Sequence, residues 1–150
     1  MAGNSWEGAL PFFSESELAC SHCGKILLNL HFASAVVTLR YLWGRPLTPS
    51  SVCRCPTHNE AVGGHPRSLH LTENPVHESH GCAAMDVLWE SWPTSDKIAF
   101  AREAWKLGFS LGFNRIFCHI DLRAKVSASM PQHIFHYSNW PGLFDDDEVK

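Results

Sequence analysis

Ile26, Leu30, Ala33, Val37 and Tyr41 recur at steps of three and four residues. That spacing predicts an amphipathic helix over 25–42, which Gly44 and Pro46 bring to a stop. A second helical pattern runs over 94–107, with Thr94 or Ser95 as its N-cap, Asp96 in its first turn and Gly108 beyond its end. Between and after them lie apolar runs of strand length. The first covers 47–53, where Pro49 points to a sheet edge. Further runs cover 82–89, 115–122 and 133–137. Residues 56–62 read as a short helix ending at Gly63-Gly64, and 65–81 as a long ordered loop rich in His, Pro, Asn and Ser. Helices flanking a small, antiparallel sheet make an α+β domain. We expect one domain over 1–150, with its core at about 12–137 and an acidic, solvated tail at 138–150.

Composition narrows this picture. A chain of 150 residues is long enough to bury a core without disulfides, and its apolar and aromatic content excludes disorder. A formal net charge of −3 argues against a nucleic-acid surface built on bulk electrostatics. The apolar stretch 26–43 is interrupted by Asn29, His31, Ser34, Thr38 and Arg40, so no membrane span is expected. Residues 1–13 lack the basic start and apolar run of a signal peptide, which predicts a protein that is cytoplasmic at synthesis. Ten His and six Cys are many for this length and raise the question of a metal.

Asp86 is the one acid in the run C-A-A-M-D-V-L-W, and a buried strand tolerates such a charge only when it is paired or bound to a metal. Asp121 stands two residues after His119, so in a strand both side chains share a face. It reads as a general base, as a partner that orients His119, or as a salt-bridge partner for Arg123 or Arg115. His22, His31, His58 and His65 read as surface histidines. Trp89, Trp92 and Trp140 read as core residues or as the lining of a peptide or sugar groove. Cys20-x-x-Cys23-Gly24 has the form of a metal knuckle, and Cys53-x-Cys55 is able to complete a four-thiolate zinc site. Disulfides or free thiols are the alternatives for these four. Cys82 and Cys118 read as small buried residues.

Four ordered segments carry a resemblance. S-S-V-C-R-C-P-T-H-N, G-G-H-P-R-S-L-H, G-C-A-A-M-D-V and F-C-H-I-D-L-R resemble S-G-Y-R-C-x-x-x-N, G-G-x-x-S-x-H, G-x-A-x-D and V-H-I-D-x-R. Those are the segments of the zinc D-alanyl-D-alanine peptidases, the murein-cleaving family related to the hedgehog and lysostaphin-type enzymes. The resemblance spans about 12–137. It implies His70, Asp86 and His119 as ligands of one catalytic Zn2+, whose water would be acidified for attack on an amide bond. It implies Arg54 as the contact to the substrate carbonyl or carboxylate, stabilising the oxyanion, with Ser68 and Asn59 shaping the site. The implied substrate is the peptide part of peptidoglycan, cleaved by a D,D-carboxypeptidase or a cross-link endopeptidase. A small member of this kind suits a phage protein, acting on the wall after lysis or from a virion.

Two departures stand out. Fifteen residues separate His70 from Asp86, more than the family pattern has, which leaves His77 and His80 as rival ligands. Ile116 stands three residues before His119, where many relatives carry an acid or a histidine, so the base is open among Asp121, His133 and His136. An inactive binding module of the same fold, or a structural zinc protein organised by Cys20, Cys23, Cys53 and Cys55, are the competing readings.

Overall fold

The computed structural model describes residues 5–73 and 80–150. A two-stranded ribbon of β1 (Ser5–Trp6) and β2 (Leu28–Asn29) precedes a five-stranded sheet of β3 (Pro49–Ser51), β4 (Ala84–Leu88), β5 (Ser110–Phe113), β6 (Phe117–Asp121) and β7 (Ile134–His136). The order across the sheet is β3-β4-β6-β5-β7, with every pair antiparallel except β5 and β7, which run parallel. The helices are α1 (Glu15–Leu18), α2 (Leu30–Trp43), α3 (Pro56–Ala61), α4 (Thr94–Lys106) and α5 (Arg123–Val126).

The first long helix begins later than its apolar spacing predicts. Asn29 caps it, its Oδ1 accepting from His31 N at 2.9 Å and Phe32 N at 3.2 Å, while Leu28 and Asn29 pair with β1. The buried face is also rotated from the expected stripe: Phe32, Ala33, Val36 and Leu39 pack inward, whereas Leu30 and Tyr41 are exposed. Apolar residues surround this helix closely enough that spacing alone did not single out one face. The second long helix lies over 94–106 as expected, but neither Thr94 nor Ser95 caps it. Pro93 holds the N-cap position with no side-chain hydrogen bond.

Strand β5 lies in a segment, Ser110–Phe113, that its pattern leaves unassigned. Its four residues are all buried, so no polar alternation marks it, and a glycine sits in its middle. One face of the sheet, with Met85, Val87, Leu111, Phe113, Cys118 and Ile120, forms part of a single hydrophobic core together with residues of α2 and α4. Trp89 is wholly buried there, its Nε1 donating to Asn114 O at 2.8 Å, and Trp92 and Trp140 pack against the same core. Trp89 therefore serves packing, whereas Trp92 and Trp140 are only partly buried and Trp140 lines a surface cleft with His136, Pro141 and Asp146.

The acidic end differs from a free tail. Asp145, Asp147 and Glu148 face outward, but Phe144 and Val149 are buried and Asp146–Glu148 forms a 3-10 turn. Phe144 meets Trp140 and Phe113 with ring centroids 5.1 Å apart in each case. The two apolar residues that bracket the acids anchor the segment against the core.

Candidate metal centre

The site is built along one row of the sheet. Register places Ser51 opposite Asp86, Asp86 opposite His119, His119 opposite Gly112, and Gly112 opposite Phe135. Directly opposed residues on neighbouring strands project to the same face, so the central carboxylate and imidazole meet because the β4–β6 register demands it. Gly112 makes room beside them. A Cβ there would stand 2.5 Å from Phe135 ring carbons and 3.1 Å from His119 Cβ. The Phe135 ring thus lies across β5, 5.6 Å from the His119 ring.

His70 reaches this row from the loop that follows α3. Arg54 N donates to His70 O at 2.8 Å and Thr72 N donates to Arg54 O at 3.0 Å, a short parallel bridge that pins the loop beside the end of β3. His70 Nδ1 donates to Val52 O at 2.7 Å, which turns Nε2 toward Asp86 Oδ1 at 3.2 Å. His119 Nδ1 lies 2.9 Å from the same oxygen. One ligand atom from each of His70, Asp86 and His119 falls within 4.8 Å of the other two, and all three residues are buried.

This donor set fits a zinc ion. Ligand atoms at zinc distances of 2.0–2.1 Å in a tetrahedron are roughly 3.3 Å apart, close to the separations seen here. Both imidazoles are also held from behind, as metal-bound histidines are. His70 is fixed by the Val52 carbonyl. His119 Nε2 donates to Asp121 Oδ2 at 2.8 Å. Arg123 grips Asp121 in turn, through Nε at 2.9 Å, Nη2 at 2.7 Å and its backbone N at 3.0 Å.

The electrostatics follow from these contacts. Burial raises the Asp86 pKa, but the two histidines outweigh it and hold the carboxyl well below its ordinary range. Burial likewise opposes ionisation of Asp121, yet His119 and Arg123 bring it down to about 2. For His119 burial disfavours the cation, and the carboxylates of Asp121 and Asp86 outweigh it to raise the pKa to about 9. Without a metal the cluster is therefore held together by charge. His70, Asp86 and His119 would hold a metal ion with His119 deprotonated at Nδ1, since a ligating imidazole must offer its lone pair.

Arg54 completes the centre. Its Nη2 is 3.5 Å from Asp86 Oδ2, its Nη1 donates to Asn59 Oδ1 at 3.3 Å, and its Nε donates to Ser51 Oγ at 3.1 Å. Asn59 is itself buried, its Nδ2 donating to His65 O at 2.9 Å. Gly64 presses against it so closely that a Cβ would stand 2.0 Å from Asn59 Oδ1. Ser68 Oγ accepts from His70 N at 3.2 Å, bracing the turn that delivers the histidine.

Residues expected at the site by sequence thus divide. His70, Asp86, His119, Arg54, Asn59, Ser68 and Asp121 come together. Asp121 sits behind His119, bonded to the ring nitrogen that faces away from Asp86, which makes it an orienting partner in this geometry. His80 is exposed on a short bridge to Glu73 and is not among the clustered ligand atoms, while His77 lies outside the described residues. His136 pairs with Asp146 at 2.8 Å. His133 is exposed, its ring stacked on Phe135. Ile116 lies in the turn between β5 and β6, its carbonyl accepting from Trp89 N and Glu90 N. Sequence reasoning missed Ser51, the Val52 carbonyl and Phe135. The S-S-V-C-R segment and the strand at 133–137 contained them, but only the register shows which of their groups face the histidines.

The four-cysteine arrangement is corrected. Cys20, Cys23 and Cys55 gather, whereas Cys53 points into the core, its Sγ 3.4 Å from Cys82 Sγ. In a continuing strand Cys53 and Cys55 would share a face, but β3 ends at Ser51 and Cys55 caps α3, so the chain has turned between them and the two sulfurs part. None of the six cysteines is joined in a disulfide.

Two buried histidines and a carboxylate around one point, each fixed from outside, define a metallohydrolase type of centre. The chain matches the sequence pattern of the peptidase M15 family over residues 12–121, and it belongs to that family of zinc-dependent peptidases. No curated protein and no solved structure matches it.

Proposed function

We propose that this M15 peptidase hydrolyses an amide bond in the peptide portion of peptidoglycan, as a D,D-carboxypeptidase or a cross-link endopeptidase. The observation that carries the reading is the buried His70–Asp86–His119 cluster inside the family segment, with the Arg54 guanidinium against its edge. Zinc, when bound there, supplies a Lewis acid for the carbonyl and acidifies water. The chain's own contribution is orientation and charge. His70 and His119 present their lone pairs because Val52 O and Asp121 occupy their other nitrogens. Arg54, held by Ser51 and Asn59, offers fixed donors to the oxygen that becomes negative as the amide is attacked, or to a terminal carboxylate. Preorganised donors of this kind act without rearrangement at the moment of reaction. Release through phage lysis, or carriage on a virion, would bring the protein to the wall.

The test is mass spectrometry of peptidoglycan fragments after incubation with zinc-loaded protein, beside the His70→Ala and His119→Ala variants. New amines from the wild-type protein, lost together with one zinc ion in both variants, are the expected result. Zinc that stays tightly bound by His70 and His119 while sacculi release nothing would overturn hydrolysis in favour of a binding module, a reading that Ile116 in the place of an acid or histidine favours.

A further inference from the structure

The peptidase chemistry makes no use of a second cluster at the N-terminal side of the domain. The turn C-S-H-C-G (20–24) follows α1, with Gly24 at φ +76° and its N donating to Cys20 O at 2.8 Å. That turn folds back so that Cys20 and Cys23 bring their sulfurs to one point, where Cys55 meets them from the start of α3. The three sulfurs lie within 4.8 Å of one another. His22 stands beside this group on the Cys55 side, its Nδ1 3.4 Å from Cys55 Sγ, outside the set of ligand atoms that lie within 4.8 Å of one another. In a tetrahedral zinc site a sulfur and a nitrogen ligand are roughly 3.6 Å apart.

The surroundings are those of metal thiolates. Cys55 N donates to Cys20 Sγ at 3.3 Å, and His58 N donates to Cys55 Sγ at 3.3 Å. Backbone N–H groups aimed at sulfur stabilise negative charge on it, the support that ligating groups receive from outside the coordination sphere. Cys23 and His22 are exposed, so an ion has a path in, whereas Cys20 is buried and Cys55 partly so.

We propose that Cys20, Cys23 and Cys55, with His22 as the fourth ligand, bind a structural zinc ion distinct from the peptidase metal. Thiolates select zinc over harder divalent ions, and a set of four protein ligands closes the coordination sphere against catalysis. The ion ties the turn after α1 to the junction of β3 and α3. Cys55 is adjacent to Arg54, and α3 carries Asn59, so the staple also fixes the backbone that aims the guanidinium.

The experiment measures metal content and sulfur coordination on the full chain, purified under reducing conditions and loaded with zinc. Native mass spectrometry should find two ions per wild-type chain, one in His70→Ala, one in Cys23→Ser and two in Cys53→Ser. X-ray absorption of zinc in the His70→Ala chain should give a sulfur-dominated shell at about 2.3 Å with one nitrogen ligand, and His22→Ala should weaken this ion's retention against a chelator. An ion count in Cys23→Ser equal to wild type would overturn the proposal. So would a shell without sulfur in His70→Ala, or an intact mass lowered by two hydrogens, the mark of a disulfide among the three cysteines. The absorption measurement does not depend on Cys23→Ser folding. Failure of the peptidase reading would leave a different signature, a single ion retained in His70→Ala and lost in Cys23→Ser.

Discussion

Asp121→Asn separates an orienting role from a basic one. The wild-type Oδ2 accepts from both His119 Nε2 at 2.8 Å and Arg123 Nη2 at 2.7 Å, and Oδ1 accepts from Arg123 Nε at 2.9 Å and Arg123 N at 3.0 Å, with 1% of the side chain exposed. An asparagine of the same shape has one oxygen and one NH2. If the oxygen takes the Oδ2 place, the NH2 meets Arg123 Nε and N; if it takes the Oδ1 place, the NH2 meets the Nε2 hydrogen of His119 and Arg123 Nη2. The second choice is relieved only when His119 moves its proton to Nδ1, the nitrogen aimed at Asp86 and needed by the metal. Either way at least one hydrogen bond to a charged group is lost, each worth about 1.5–3 kcal/mol. Loss of a partner of this kind lowers metal affinity about 10- to 100-fold. The assay is zinc affinity by competition with a chromogenic chelator, run beside turnover on sacculi at limiting and at saturating zinc. Affinity and limiting-zinc turnover should fall together, with turnover largely recovered when zinc is in excess. Unchanged zinc affinity with turnover still collapsed at saturation would refute the argument and make Asp121 the base.

Two further outcomes follow from the same geometry. Gly112→Ala forces a methyl to within 2.5 Å of the Phe135 ring, and such overpacking costs about 1–3 kcal/mol; chemical denaturation should register the loss, and an unchanged midpoint would mean that Phe135 moves freely. Asp121 has a pKa of about 2 in the fold against 3.8 ordinarily. A depressed pKa contributes stability that is fully present above the unfolded value and lost as pH falls through the folded one, so metal-free protein should lose about 2 kcal/mol from this group between roughly pH 4 and pH 2. In acid titrations of stability, Asp121→Asn should flatten that portion of the curve, and an identical slope would contradict the pairing.

How much of this was legible in the chain differs from element to element. Helix α4 was readable because its apolar residues follow one period between clear stops, and the strand bearing Asp86 because it is an apolar run of strand length broken by a single acid. The rotated face of α2 was not, since residues on several of its sides are apolar and only packing against the core selects among them. Strand β5 escaped notice because a fully buried strand lacks alternation and Gly112 weakens its pattern further.

By itself the sequence determined which residue types carry the chemistry. His70, Asp86, His119, Arg54, Asn59 and Ser68 stand in ordered segments, and Asp121 shares a strand face with His119 by simple alternation. Tertiary structure alone decided how they are arranged. The β4–β6 register sets Asp86 beside His119, and the Val52 carbonyl, a backbone group eighteen residues from His70, chooses which nitrogen of that histidine faces inward. The same holds for the cysteines, where four in the sequence become three in space, because Cys53 turns into the core toward Cys82 while Cys55 begins a helix. Ligand identity is a local property of side chains, whereas their convergence depends on contacts between segments far apart along the chain.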